Sequence, residues 1–178
     1  MGWFMSMKFD NLKDLLLYQL KDLYDAEQQL STALPRMAEA ACSPDLKGAF
    51  EQHLRETAVH VARLERVFKE LGEQPARETC TAMKGLIAEG QEIVDAKGDS
   101  AVKDAALIAA AQRVEHYEMA GYGASRAFAQ NLGYSAIPEL LQETLNEVGK
   151  ADKNLTAIAE GTVNPACART MEKMGGTA

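Results

Sequence analysis

The sequence predicts an all-α protein in which two long helical hairpins are joined by one crossover. Aromatic residues make up only 6% of its 178 residues, while alanine and leucine are frequent, and this composition favours helices over sheets. Four long segments repeat apolar residues at alternating steps of three and four, which is the spacing of one helix face. No long polar spacer divides the chain, so we expect a single domain.

The first helix is expected to begin at Asn11 or Leu12, with Asp10 as its N-cap, and to run toward Ala41. Its apolar stripe contains leucines at helical spacing over most of this length. Pro35 interrupts the stripe near its end. Because proline removes one backbone hydrogen bond, it should kink the helix or separate its last turns.

The second helix and the connection after it follow from residues that start and stop helices. Ser43 is the expected N-cap and Pro44 the first helical residue, and the helix should end at Leu71. Residues 72–99 are too long for a tight turn, yet long enough for a crossover that contains a short helix. Such a crossover lets the third helix run parallel to the second.

The second hairpin resembles the first in its length and boundaries. Asp99 or Ser100 should cap a third helix that ends at Leu132, and the fourth helix should cover residues 136–160. The chain after it contains Asn-Pro and Gly-Gly pairs, which are typical of irregular structure. We therefore expect one four-helix domain over residues 8–165, followed by an irregular tail over 166–178.

Each long helix carries one glutamate in the middle of its apolar stripe. These are Glu27, Glu56, Glu118 and Glu147. An unpaired ionised group moved out of water costs several kcal/mol, so each should be neutral, paired, hydrogen-bonded or bound to a metal. Glu118 and Glu147 follow Glu27 and Glu56 at the same sequence distance, which indicates that the second half is a diverged copy of the first. In a hairpin the first two glutamates differ in height by only about 3 Å.

Four carboxylates at one level of a bundle are the arrangement that holds two metal ions. Hard or borderline cations such as Fe²⁺ and Mn²⁺ accept oxygen ligands, and histidine usually adds one ligand per metal. His60 lies four residues after Glu56 and His53 lies three before it, so either could complete a site. The alternative for each glutamate taken singly is a solvated acid at the edge of the stripe. His116 lies about 160° around the helix from Glu118, so a position at the surface or in interhelix packing is expected rather than ligation.

Three segments carry a resemblance to a known family. They are LKDLYDAEQQL at 20–30, HLRETAVH at 53–60 and VEHYEMAGYG at 114–123. With these segments the chain resembles the ferritin-like superfamily of di-iron carboxylate proteins and, more closely, the YciF-like (DUF892) stress proteins related to rubrerythrin. The resemblance covers nearly all of residues 8–165. It implies a ferritin-like antiparallel four-helix bundle that holds two metal ions per chain, with iron favoured over manganese, and it implies a homodimer.

The resemblance also implies a set of ligands. The glutamates of the first and third helices would be Glu27 and Glu118, and those of the second and fourth would be Glu56 and Glu147. Glu115 is similar to the second glutamate that rubrerythrin-like proteins carry on their third helix.

The chain departs from the family pattern on its second and fourth helices. The family places Glu-x-x-His there, whereas Val59 and Lys150 stand at the two histidine positions. On the second helix His60 could substitute, and on the fourth Glu143 or Asp152 are the open alternatives. A site with fewer nitrogen ligands would hold its second metal weakly, or would hold one metal only.

Two functions are compatible with these observations. The first is a non-haem di-metal oxidoreductase of the stress response that reacts with peroxide or O₂, with no catalytic residue identified beyond the ligands. The second is a non-catalytic helical stress protein that acts by self-association or partner binding. No C-x-x-C module is present, so an electron donor for the first function would have to be external.

Charge and cysteine content exclude other classes. The net charge is −7 and no dense Lys/Arg stripe occurs, so nucleic-acid binding is not expected. Cys42, Cys80 and Cys167 are far apart, which argues against disulfide frameworks and zinc ribbons and favours a reducing cytoplasm. Residues 1–7 lack the order of a signal peptide, and no apolar run approaches membrane-spanning length.

Overall fold

A computed structural model describes residues 8–175 of the protein, and the side chains as far as residue 169. Residues 1–7, where we expect no signal peptide, and residues 176–178 lie outside the described part. The helices are α1 (Leu12–Ala40), α2 (Pro44–Glu70), α3 (Thr81–Asp95), α4 (Ser100–Asn131), α5 (Ala136–Ile158), a π-helical turn (Ala159–Val163) and α6 (Asn164–Gly175). No strand occurs within residues 8–175, which confirms the all-α prediction. None of these helices has the length and apolar character needed to cross a bilayer.

The first helix differs from its prediction at both ends. Asn11 rather than Asp10 is the N-cap, because its side-chain oxygen accepts the N–H of Asp14 at 3.0 Å. The helix also continues through Pro35 without a break. Leu34 and Met37 on either side of the proline are buried, so packing against the core holds the last turns in place.

Helices α2 and α4 begin at the caps that the sequence predicts. Ser43 caps α2 by accepting the N–H of Leu46 at 3.4 Å. Asp99 caps α4, and its carboxylate accepts the N–H groups of Ala101 and Val102 at 2.9 and 3.1 Å. Each cap satisfies backbone donors that have no partner inside the helix.

The four long helices form an antiparallel bundle with one crossover, as predicted. Helix α1 packs against α2 and α4, and α5 packs against the same two helices. His53 faces Glu115 and His60 faces Tyr122, so α2 and α4 run parallel to each other. The crossover that permits this contains α3, which packs on α1 and α4.

The interior consists of two apolar clusters with a polar layer between them. The first cluster takes residues from the second half of α1 and the start of α2, and the second takes them from the start of α1 and the end of α2. Between them lie buried polar side chains, which we call the polar layer. Its members are Glu27, His53, Thr57, His60, Glu115 and Glu118. The bundle therefore buries its acids at mid-height.

Two buried aspartates, neither indicated by the sequence patterns, attach loops to the bundle. Asp25 accepts the N–H of Cys80 at 2.8 Å and pairs with Arg77 at 2.7 Å, which fixes the start of α3 against α1. Burial alone would raise the pKa of Asp25, but these bonds outweigh it and lower the pKa. Asp104 accepts the N–H groups of Cys42 and Ser43 at 2.9 and 2.7 Å, which ties the first hairpin turn to α4.

The carboxyl-terminal segment corrects the prediction of an irregular tail. A π-helical turn over Ala159–Val163 leads into α6, which covers Asn164–Gly175 and packs against α4. Pro165 is the second residue of α6 and follows the π-helical turn directly, so the helical chain continues past it as α1 continues past Pro35. Val163 is buried in the first apolar cluster, so tertiary packing holds this segment on the bundle.

Two glycines of α4 are expected to respond oppositely to substitution. An added Cβ at Gly121 would lie 2.7 Å from Leu23 Cδ2, whereas nothing lies within 4 Å of one at Gly123. Alanine raises helix propensity at both by about 1 kcal/mol, but at Gly121 the collision with a buried side chain costs about 1–3 kcal/mol. We expect Gly123→Ala to stabilise the protein and Gly121→Ala to leave it unchanged or destabilise it in urea unfolding. Equal stabilisation by both would contradict the close approach.

Candidate metal centre

Glu118 is the member of the polar layer whose burial is least compensated by other side chains. Its side chain is fully buried, and its carboxyl group faces that of Glu27, a second acid, while neither oxygen accepts a well-oriented hydrogen bond from a described donor. Burial raises its pKa well above the usual range, and the charges of Glu27 and Glu115 add to the shift. Such a group must be protonated or must be compensated by a cation.

His53 and Glu115 complete a group of three around Glu118. His53 Nε2 lies 3.3 Å from Glu115 Oε1, and one ligand atom from each of the three residues lies within 4.8 Å of the others. Burial lowers the pKa of His53 to about 4, so its imidazole is neutral, which is the form that binds metals. We call His53, Glu115 and Glu118 the three-residue group.

A second set of side chains is held by hydrogen bonds and charge pairs, with only one carboxylate oxygen, Glu27 Oε2, left without a hydrogen bond among the described residues. His60 lies between two carboxylates, with Nδ1 3.3 Å from Glu27 Oε1 and Nε2 3.1 Å from Glu147 Oε2. Tyr122 donates its hydroxyl to Glu27 Oε1 at 2.5 Å. Burial alone would lower the pKa of His60, but its bond to Glu27 and the two carboxylate charges raise it. We call Glu27, His60 and Glu147 the paired group.

Glu147 is further held by an arginine that sequence reasoning missed. Arg63 donates to Glu147 Oε2 at 2.7 Å and to Oε1 at 3.2 Å, and to Thr144 at 2.7 Å. Burial opposes ionisation of Glu147, yet the hydrogen bond and charge of Arg63, together with His60, lower its pKa. Arg63 lies on the helical line of His60, and that spacing is the only signal in the sequence that could have indicated it.

Glu56 stands apart from both groups. It is half-buried and accepts a hydrogen bond from Gln52 Nε2 at 2.8 Å. Its charge contributes to the raised pKa of Glu115, so it faces the same region without being part of the three-residue group. That Glu56 ligates a metal remains a prediction.

The structure shows where the three further possible ligands, His53, Glu143 and Asp152, are located. His53, which the sequence offered as a possible ligand because it lies three residues before Glu56, is in the three-residue group. Glu143 is exposed and pairs with Arg63 at 3.3 Å. Asp152 accepts from Gln112 at 3.1 Å and lies 3.5 Å from the exposed His116, so neither acid belongs to the three-residue group.

The donor set suits a hard or borderline divalent cation. The three-residue group offers two carboxylates and one neutral imidazole, and its oxygens are short of partners. Carboxylate and imidazole ligands fit iron and manganese, whereas the thiolates that favour zinc ribbons or copper(I) are absent from this group. A cation there would compensate the charges that burial otherwise opposes.

These features define a class: a helical-bundle protein with a buried His/Glu/Glu group of metal-binding composition. The family described as "Domain of unknown function (DUF892)" matches residues 11–168, and the chain belongs to that family. The chain is 42% identical to Protein YciF of Escherichia coli (strain K12) over 159 residues, which cover 89% of this chain and 96% of that protein. The family membership predicted from the sequence is thus confirmed.

Solved structures agree with this assignment. The E. coli stress protein YciF matches with a TM-score of 0.85 at 41% identity, over 88% of this chain and 99% of that one. YcfI from Rhodopseudomonas palustris matches with a TM-score of 0.84 at 44% identity and the same coverage. A Xanthomonas campestris protein at 22% identity, with a TM-score of 0.71 over 90% of this chain and 99% of that one, shows the fold alone.

Glu115 should make the stability of the metal-free protein depend on pH. Burial, together with the charges of Glu27, Asp152 and Glu56, raises its pKa to about 9 from 4.5. The folded state therefore keeps a proton that the unfolded chain releases, so stability is highest below about pH 4.5 and falls as the pH rises toward 9. Between pH 5.5 and 8 the loss from this group is about 3 kcal/mol.

Glu115→Gln removes this titration and should reduce the pH dependence of urea unfolding measured with chelator present, while Glu118, whose pKa burial also raises, still contributes to it. The exposed Glu143 provides the control, since Glu143→Gln should keep the wild-type slope. If Glu115→Gln loses stability with rising pH as steeply as the wild type, the carboxyl is not held protonated.

Proposed function

We propose that this chain binds two metal ions, with iron favoured over manganese, and reacts with peroxide or O₂ in a stress response. The observation that carries the proposal is Glu118, a fully buried acid whose oxygens accept no well-oriented hydrogen bond from a described donor, beside His53 and Glu115. That E. coli YciF is described as a stress protein supports the physiological setting.

The three-residue group would hold the first ion. Its imidazole is neutral and its carboxyl groups are short of hydrogen-bond donors, so a cation has to displace chiefly the protons that burial retains on Glu115 and Glu118. A redox-active metal bound there would polarise an oxidant and supply electrons to it by changing its own oxidation state. The residues themselves provide charge, a dry environment and fixed positions.

The paired group would hold the second ion, and more weakly. His60 already contacts Glu27 and Glu147, and Arg63 neutralises Glu147. Binding of a cation has to displace these contacts, which offsets part of the attraction. Glu56, half-buried nearby, would move from Gln52 to serve as a further ligand. The homodimer and an external electron donor remain predictions.

Metal content is the first test of the proposal. Protein supplied with iron and manganese should contain close to two metals per chain by elemental analysis. Saturating Fe²⁺ under anaerobic conditions should raise the melting temperature of the metal-free protein by about 5–10 °C, since binding to the native state stabilises it. His53→Ala and Glu118→Gln should abolish the shift of the first site, whereas the surface variant His116→Ala should retain it.

The outcome decides between the two functions. Equal traces of metal in the wild type and in Glu118→Gln, with no melting shift, would contradict metal binding. That result would support the non-catalytic helical stress protein that acts by self-association or partner binding.

Peroxide consumption tests the activity. Iron-loaded wild type should consume hydrogen peroxide, and Glu118→Gln or His53→Ala should reduce the rate at least tenfold, because the ligands of the first site are lost. His116→Ala should keep the wild-type rate. Consumption that persists in Glu118→Gln at equal iron concentration would assign the reaction to free or adventitious iron.

A further inference from the structure

An apolar cavity of about 470 Å³ opens between α1, α2, α4 and α5 and ends at the polar layer. Leu30, Leu34 and Met37 of α1 line one side, and Phe50 and Leu155 line another. A volume of 300–1,000 Å³ with mostly apolar walls is typical of sites for organic ligands. Sugars and nucleotides, which need many polar partners, fit such walls poorly.

Two members of the three-residue group line the inner end of the cavity. His53 and Glu115 both border it, together with Glu56 and Glu147. A molecule in the cavity would therefore place its inner end against the candidate metal ligands.

The outer rim carries positive charge. Lys150 and Lys153 lie one helical turn apart on α5, are exposed and line the cavity. No ion pair joins either lysine to another residue of the described range 8–169. Three acids line the same cavity: Glu147 is paired with Arg63, Glu56 accepts a hydrogen bond from Gln52, and Glu115 lies beside His53 at the inner end. The rim thus carries two lysines without an ion pair in the described range, in a chain whose net charge is −7.

We infer that this cavity binds a medium-chain fatty acid. The carboxylate lies at Lys150 and Lys153, and the alkyl chain extends inward along Leu34 and Phe50 toward His53. Burial of the chain supplies most of the affinity and the two lysines supply the preference for an acid over a neutral molecule. Binding itself needs no metal; that the bound acid is a substrate rests on the proposed function.

Isothermal titration calorimetry with decanoate and decanol, on metal-free and on iron-loaded protein, tests the inference. Decanoate should bind one molecule per chain to both forms. The double variant Lys150→Ala, Lys153→Ala should weaken decanoate about tenfold and decanol less than about twofold.

Filling the cavity provides the second arm. Ala151→Phe and, independently, Ala49→Phe place a ring in the cavity and should abolish binding of decanoate. Ala157→Phe and Ala58→Phe on the exposed faces of the same helices are the matched controls and should bind as the wild type does. Circular dichroism selects the variants that are folded.

Absence of decanoate binding to both metal-free and iron-loaded protein overturns the inference, as does equal affinity for decanoate and decanol. Binding that survives in folded Ala151→Phe and Ala49→Phe overturns it too, because the acid then sits elsewhere. Decanoate binding without metal binding would leave the inference standing while the proposed function fails, and metal binding without decanoate binding would do the reverse.

Discussion

Burying carboxylates in the middle of a helical bundle costs free energy that packing on both sides must offset. Glu27, Glu115 and Glu118 are each at most 2% exposed, and apolar clusters lie toward either end of the helices. Because each helix contributes to both clusters, the acids cannot reach solvent without disrupting one of them. Hydrogen bonds of Asp25 and Asp104 fix α3 and the first hairpin turn on the bundle, which also keeps the helices packed around the buried acids.

The two groups of the polar layer differ in how the cost of burying their carboxylates is compensated. In the paired group, Tyr122 and His60 bind Glu27, and Arg63 neutralises Glu147. In the three-residue group, neither oxygen of Glu118 accepts a well-oriented hydrogen bond from a described donor. In the paired group one carboxylate oxygen, Glu27 Oε2, lacks a hydrogen bond, whereas three carboxylate oxygens of the three-residue group lack one, and each unsatisfied buried acceptor costs about 1–3 kcal/mol. The asymmetry is therefore the physical argument for a bound cation, independent of any resemblance.

The sequence reveals periodicity well and long-range partners poorly. The stripes around Glu27 and Glu118 predict the burial of both acids, because the buried face of a helix follows from local spacing, and the long connection over 72–99 predicts the parallel course of α2 and α4. The pairing of Arg63 with Glu147, and of Tyr122 with Glu27, joins residues far apart in the chain, and no spacing rule reports it. The tail over 166–178 shows the opposite failure: its local signals indicate irregular structure, whereas α6 covers Asn164–Gly175 and follows a turn held on the bundle by the buried Val163.

The cavity reaches both groups of the polar layer. It borders His53 and Glu115 of the three-residue group and Glu147 of the paired group, whereas Glu27, His60 and Glu118 are not part of its lining. A reactant that approaches through it must cross an apolar space before it meets a carboxylate. That space admits small neutral oxidants and alkyl chains more readily than hydrated ions. The helix faces that exclude water from the acids therefore also select what can reach them.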